Sequence, residues 1–190
     1  MKYFLSIILF LGVSQGAIAH DGHMNNFMTA ALHPIMGWDH LLAMLLVGIL
    51  VARYDVKEKI LLPILFVVGF GISAELAKIT TSHISGANIE QILLMTLSIL
   101  GFALFSKKIF SLKFMLPITL LAGLSHGYIH GLELNTHQSF VLLGLMVTTV
   151  LLHGIGYFLS NAFYARFQYL FKAFGAISSI VSMTALLFSF

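Results

Sequence analysis

An apolar run occupies residues 60–77, which read ILLPILFVVGFGISAELA and contain one ionisable side chain, Glu75. A stretch of about 20 mostly apolar residues is long enough to cross the hydrocarbon core of a bilayer as a helix. Similar runs lie at residues 35–52, 89–106, 112–130, 139–160 and 169–190. The sequence therefore predicts an all-α integral membrane protein with a bundle of six transmembrane helices.

The composition of the whole chain agrees with this fold class. Its 190 residues are 59% hydrophobic and 9% charged, and the mean hydropathy is +0.98, whereas soluble domains carry about 25% charged residues. This balance excludes an ordinary soluble domain, a disordered chain and a nucleic-acid-binding protein with a basic surface. The chain has no cysteine, so disulfides and thiolate metal sites are excluded as well. Its nine histidines need an explanation in so apolar a sequence.

The N-terminal segment is typical of a secretory signal. Lys2 precedes an apolar run over residues 3–13, and Ala17-Ile18-Ala19 has the small-x-small form of a signal-peptidase site. We expect residues 1–19 to be a cleaved signal peptide and residues 20–190 to form the six-span transmembrane domain. An uncleaved N-terminal anchor is the alternative.

The positive charges predict the orientation of the chain. Eight of the ten lysine and arginine residues belong to alternate loops and their span edges, namely Arg53, Lys57, Lys59, Lys107, Lys108, Lys113, Arg166 and Lys172. The opposite loops hold only Lys78. Because cytoplasmic loops are enriched in positive residues, we expect a multi-pass protein of the bacterial inner membrane with both mature termini in the periplasm. This topology explains the basic pI of 9.2 without a nucleic-acid partner.

Ionisable residues cluster at the predicted outer end of the first span, where residues 33–40 read HPIMGWDH. Such residues inside a span usually face a bundle interior, because a charge at the bilayer centre costs about 2.5–3.5 kcal/mol even on the lenient insertion scale. We expect His33 and His40 to lie two turns apart on nearly one face of a single helix. Asp39 is placed to ligate a metal or to orient an imidazole. Pro34 is expected in the first helical turn, where its missing N–H costs little.

A second cluster lies at the predicted outer end of the fourth span, where residues 125–133 read SHGYIHGLE. His126 and His130 are one turn apart, which is a common arrangement for binding a divalent metal, and Glu133 continues the same face. The glycines at positions 123, 127 and 131 predict the close approach of another helix. The first span is the expected partner.

The two clusters are predicted at the same membrane depth, and together they suggest one shared metal site. Its candidate residues are His33, Asp39, His40, His126, His130 and Glu133. Imidazole with carboxylate and without thiolate suits Ni²⁺, Co²⁺, Zn²⁺ or Cu²⁺. Any one of these histidines taken alone can equally be a hydrogen-bonded packing residue.

Four further residues have two interpretations each. His20 and His23 either capture metal outside the membrane or belong to a flexible tail. Glu75 is either a ligand from a third helix or a counter-charge to Lys78. His153, in the inner half of the fifth span, is either a relay toward the cytoplasm or a hydrogen-bonded packing residue.

The motif His33-Pro34-x-x-Gly37-x-Asp39-His40-Leu41-Leu42-Ala43-Met44 resembles the first-span signature of the HupE/UreJ family. The motif His126-Gly127-Tyr128-x-His130-Gly131-x-Glu133 is similar to the second signature of that family, in which Phe and Ala stand in place of Ser125 and Ile129. The signal, the six spans and the length match as well, so the resemblance covers the whole chain. It implies a nickel/cobalt permease with an indirect link to hydrogenase or urease maturation. It also implies metal-handling roles for the six candidate residues.

The resulting hypothesis is a secondary transporter that takes up Ni²⁺ (or Co²⁺) from the periplasm, with the ion as substrate, no prosthetic group and no enzymatic activity. The sequence has no G-x-x-x-x-G-K-[ST] motif for nucleotide binding. The expected partners are a divalent metal ion and the lipid bilayer, with no nucleic acid. Two alternatives are an intramembrane metal-dependent hydrolase that uses Ser125 and a membrane metal-binding protein that does not transport.

Overall fold

The computed structural model describes residue 24 and residues 26–79, 85–106, 108–134 and 139–189. This part of the chain is helical and contains no strand. The helices, in chain order, are α1 (Phe27–Met36), α2 (Trp38–Val51), α3 (Leu61–Ile79, preceded by a 3₁₀ turn at Lys57–Ile60), α4 (Gly86–Phe105), α5 (Leu112–Glu133) and α6 (Ser139–Phe188). The predicted signal peptide lies outside the described residues.

Several of these helices are long and apolar enough to cross a membrane. Four qualify by themselves, α3 with its preceding turn, α4, α5 and α6, and the bent pair α1 and α2 qualifies as a fifth when taken together. The prediction of an all-α membrane protein is therefore confirmed, and the chain is a multi-pass membrane protein.

The helix α6 is too long for one span. Its 50 residues would extend about 75 Å at 1.5 Å per residue, against a hydrocarbon core of about 30 Å. Its helical geometry is interrupted at Phe167, where φ is −123° and ψ is 32°. This interruption falls between the two runs that were predicted as the fifth and sixth spans, so α6 consists of two helical segments joined at Phe167.

The first predicted span is a broken helix, and the expectation of one helix face shared by His33 and His40 is wrong. The axes of α1 and α2 meet at an angle of 79°, because Gly37 between them is extended, with φ −83° and ψ 119°. Pro34 lies in the last turn of α1, not in the first turn of the span. A proline there removes a helical hydrogen bond and disturbs the preceding turn. The helix also begins earlier than predicted, at a capping box in which Thr29 N donates to Asn26 Oδ1 at 2.9 Å.

The glycine stripe of α5 packs against α3, so the expectation that it meets the first span is also wrong. At each of these glycines a Cβ atom would overlap a backbone carbonyl of α3. The pairs are Gly123 with Phe66, Gly127 with Phe70, and Gly131 with Ala74. Four-residue spacing predicts a close helix contact without specifying the partner. The surface of α3 matches the stripe, and its own Gly69 lies against Leu120 of α5.

Glycines also attach the two segments of α6 to different helices. Gly156 in the N-terminal segment lies against the backbone of α2 at Leu45, and Gly48 of α2 lies against His153. Gly175 in the C-terminal segment faces Gly101 of α4. Gly144 of α6 lies equally close to the backbone of α1 at Phe27, so in the described part of the chain close backbone contacts join four helix pairs.

The loop after α2 is tied to the end of α4. The guanidinium of Arg53 donates to the carbonyl oxygens of Ala103 and Ser106, which satisfies carbonyls that a helix C-terminus leaves unpaired. The hydroxyl of Tyr54 donates to Phe110 O at 2.9 Å. Burial raises the pKa of Tyr54, so this hydroxyl remains a donor near neutral pH.

We expect Gly123→Ala to destabilise the bundle by about 1–3 kcal/mol, the usual cost of forcing an extra group into a packed interior. The added methyl group would overlap Phe66 O. The matched control is Gly154→Ala, since a Cβ at Gly154 meets nothing within 4 Å. Thermal unfolding of the two detergent-purified variants measures the difference, and equal midpoints would show that the α3–α5 contact tolerates a side chain.

Candidate metal centre

Three buried histidines from three helices form the centre of the candidate site. His33 of α1, His40 of α2 and His130 of α5 each offer a ring nitrogen, and these nitrogens all lie within 4.8 Å of one another. The rings are 8%, 1% and 0% exposed, in that order. We call these three residues the histidine triad.

The bend at Gly37 brings the first two members of the triad together. The ring centroids of His33 and His40 are 5.3 Å apart and those of His33 and His130 are 4.8 Å apart. Gly37 itself lies against the site, where a Cβ would sit 2.9 Å from His40 Nδ1 and 3.2 Å from Asp39 Oδ1. A side chain at this position would therefore press on the imidazole.

Carboxylates hold the outer nitrogens of two triad rings. His40 Nδ1 is 2.7 Å from Asp39 Oδ1, and His130 Nδ1 is 3.3 Å from Glu133 Oε2. The Nε2 atoms of His40 and His130 consequently point toward each other, 2.5 Å apart. A carboxylate on the far nitrogen is the usual partner of a metal-binding histidine, because it fixes the ring orientation and raises the basicity of the free nitrogen.

His126 lies beside the triad with one nitrogen available. Its Nδ1 donates to Ala122 O at 2.8 Å, so Nε2 carries the lone pair, and this atom is buried without a hydrogen-bond partner in the described part of the chain. The ring lies 5.2 Å from that of His40, between centroids. His126 is thus a neighbour of the set that three helices bring together, and its pairing with His130 in metal binding stays a prediction.

His153 lies deeper in the bundle and is separated from His126 by a phenylalanine. The centroid of the Phe66 ring is 5.4 Å from that of His126 and 5.0 Å from that of His153. His153 is 4% exposed, and its Nε2 has no hydrogen-bond partner among the described residues. The aromatic rings therefore form a continuous series from the triad through His126 and Phe66 to His153.

The structure separates Glu75 from this site. Glu75 forms an ion pair with Lys78 at 2.8 Å on the exposed side of α3, which matches the counter-charge interpretation. His20 and His23 lie outside the described residues.

Two phenylalanines of α3 complete the site, and the sequence analysis did not identify them. Phe66 contacts His126, and the ring of Phe70 lies 5.8 Å from that of His130. Both are fully buried, so their residue type alone does not distinguish them from ordinary core positions. The sequence feature that could have identified them is their spacing of four residues, which equals the spacing of the glycines in α5.

The arrangement has the chemistry of an open metal site. Three imidazoles leave further coordination positions free, as in sites that exchange a ligand, whereas a structural site is closed by four protein ligands. Bonds of about 2.0–2.1 Å to one ion place neighbouring ligand atoms about 3 Å apart. The nitrogens of the triad span 2.5 Å to 4.8 Å, so small side-chain rotations bring them to that spacing.

Ser125 differs from the nucleophile expected of a hydrolase. Its hydroxyl donates to Ala122 O at 3.0 Å, and a catalytic serine is instead placed within reach of a general base. Among the described residues no contact joins this hydroxyl to a histidine.

Comparison with known proteins assigns the chain to a family. The model of the family described as HupE / UreJ protein matches residues 8–185. Protein HupE of Rhizobium leguminosarum bv. viciae is 28% identical over 165 residues, which cover 82% of this chain and 83% of that relative. No solved structure matches. Because the family match covers nearly the whole chain, with both histidine-rich motifs inside it, the chain belongs to the HupE / UreJ family.

Proposed function

We propose that the chain is a secondary transporter that carries Ni²⁺, or Co²⁺, from the periplasm to the cytoplasm across the bacterial inner membrane. The observation that carries the proposal is the histidine triad, whose ligand atoms lie within 4.8 Å of one another inside an apolar bundle. The resemblance of the two histidine-rich motifs to the signatures of nickel/cobalt permeases supports the choice of ion.

Burial of the triad favours a metal over a packing role. A buried polar group costs free energy unless a partner satisfies it, and His33 Nε2 and His126 Nε2 have no such partner among the described residues. A cation bound at the triad would provide the partner that the His33 ring lacks. Zn²⁺ has similar ligand preferences, so the comparison among Ni²⁺, Co²⁺ and Zn²⁺ is part of the tests below.

The two carboxylates of the site suit a doubly charged ion. Asp39 and Glu133 contact the rings of His40 and His130 and are partly buried, at 16% and 26% side-chain exposure. Their two negative charges offset the charge of one divalent ion. A monovalent ion would leave one carboxylate charge uncompensated inside the bundle, where an unpaired buried charge is destabilising.

The proposed topology has six spans, in which the pair α1 and α2 forms the first and the two segments of α6 form the fifth and sixth. The positive loops then face the cytoplasm, and the triad lies toward the periplasm. An ion leaving the triad meets His126 first, then the ring of Phe66, then His153. A membrane potential of 100 mV favours inward movement of a divalent ion across the whole membrane by about 4.6 kcal/mol.

The first prediction concerns binding. We expect His40→Ala and His130→Ala each to weaken Ni²⁺ binding to the detergent-purified protein by more than about 100-fold, because loss of even an outer partner of a ligand costs about 10–100-fold. Calorimetric titration measures the affinity. His153→Ala is the matched control, a buried histidine outside the triad that should bind as the wild type does. Unchanged affinity in both triad variants would remove the triad as the binding site.

The second prediction concerns the carboxylate beside His40. Asp39→Asn keeps an acceptor for His40 Nδ1 and removes the charge, so Ni²⁺ affinity should fall by about 10-fold, the low end of the range for such partners. Glu75→Gln makes the same change at a carboxylate paired with Lys78 and should leave the affinity unchanged. Equal affinities for the two variants would contradict the assigned role of Asp39.

The third prediction separates transport from binding. In proteoliposomes, His153→Ala should lower Ni²⁺ flux by about tenfold or more, which corresponds to about 1.4 kcal/mol in the barrier, with the affinity of the triad retained. Flux of Co²⁺ and Zn²⁺ is measured in parallel to rank the ions. Wild-type protein that binds Ni²⁺ and shows no flux would instead identify a non-transporting metal-binding protein. Hydrolysis of lipid esters or amides by the zinc-loaded protein would favour the hydrolase.

A further inference from the structure

A cavity of about 590 Å³ lies between α3 and α6, away from the histidine triad. Its walls are almost entirely apolar. The lining residues are Val51, Lys57, Lys59, Ile60, Pro63, Ile64, Val67, Val68, Val150, His153, Gly154 and Tyr157. Several of them are exposed on the surface that faces the lipid in the proposed topology, among them Ile64 at 46% and Val150 at 54%. The cavity is therefore a groove open toward the bilayer.

The length of this groove matches the thickness of one leaflet of the bilayer. Along the helix axis, the twelve residues from Lys57 to Val68 extend about 17 Å, which is about half of the roughly 30 Å hydrocarbon core. The groove thus accommodates an extended hydrocarbon chain that enters from one side of the membrane and ends near the midplane.

Two lysines stand at one end of the groove. Lys57 and Lys59 line it, whereas Asp55 and Glu58 of the same loop do not, and neither lysine forms an ion pair within the described part of the chain. Two ammonium groups repel a divalent cation, so this end of the groove is unsuited to release of the transported ion. They attract a phosphate, and basic pockets between helices on the cytoplasmic side bind anionic lipid headgroups.

The side of the groove formed by α6 has room for a hydrocarbon chain. Gly154 lines the groove, and a Cβ placed there meets no atom within 4 Å. This glycine is therefore not required for helix packing, in contrast to Gly156 one half-turn later, which contacts Leu45 O. The absence of a side chain at Gly154 keeps the groove open.

We propose that the groove between α3 and α6 binds one anionic phospholipid of the cytoplasmic leaflet, with the headgroup phosphate on Lys57 and Lys59 and one acyl chain lying along Ile64 and Gly154. The proposal rests on the proposed orientation of the chain, in which these lysines face the cytoplasm. It is independent of the transported ion.

The test is native mass spectrometry of the full chain in detergent, titrated with phosphatidylglycerol or with phosphatidylcholine of the same acyl chains. The wild type should retain one phosphatidylglycerol in preference to phosphatidylcholine. The double variant Lys57→Gln/Lys59→Gln should lose about 30-fold in affinity for phosphatidylglycerol, or about fivefold per lysine. The matched control is Lys108→Gln/Lys113→Gln, which removes two exposed lysines outside the groove and should bind as the wild type does.

A third variant tests the acyl-chain part without changing any charge. Gly154→Leu fills open space, so it should fold with an unchanged unfolding midpoint in detergent and should weaken phosphatidylglycerol binding. Equal losses in the two double variants would overturn the proposal, because they would indicate attraction to surface charge alone. Equal binding of the two lipids, or full binding by Gly154→Leu, would overturn it as well. Since no metal is present, these results do not depend on the Ni²⁺ measurements.

Discussion

The break of the first span at Gly37 is the constraint on which the candidate site depends. In a straight helix, residues seven apart are separated by about 10 Å along the axis, and one ion with bonds near 2 Å cannot join two such side chains. The 79° bend instead places the His33 and His40 rings 5.3 Å apart. It also directs both rings toward His130 of α5. A site that looks continuous in the sequence is therefore assembled by interrupting a helix.

Such an interruption is tolerated inside a membrane only where the freed backbone groups are satisfied or face other protein. Here the N–H of Gly37 donates to His33 O at 3.1 Å, and the N–H of Leu41 donates to Gly37 O at 2.9 Å. At the break His33, Pro34 and Gly37 are buried, whereas Ile35 and Met36 are exposed. The break thus leaves few polar backbone groups exposed to lipid, and the same stretch of sequence supplies both the bend and two of the three imidazoles.

The class of fold could be predicted from the sequence because it depends on local patterns, and the same patterns singled out the histidines and carboxylates that the structure brings together. Apolar runs indicate membrane spans, and histidines paired with carboxylates indicate polar positions inside those spans.

The path of the first helix and the partner of the glycine stripe could not be predicted. Gly37 and Pro34 were visible, yet their effect depends on which helix the chain then meets. The stripe at Gly123, Gly127 and Gly131 indicates a close contact, and only tertiary packing decides that α3 occupies it. The four-residue spacing of Phe66 and Phe70 does not by itself place Phe66 beside two histidines, since those contacts arise from that packing.

The contact between Gly48 and His153 has a consequence for the way in which α2 and α6 can move relative to each other. A backbone carbonyl of α6 rests directly on α2 at this point, and packed interiors are nearly incompressible. The backbones of α2 and α6 therefore cannot move closer together here, while the His153 ring packs against Phe66 and lines the groove between α3 and α6. A carrier of the proposed kind would therefore move α2 and the N-terminal segment of α6 together as one body, on the microsecond-to-millisecond timescale of collective helix motions.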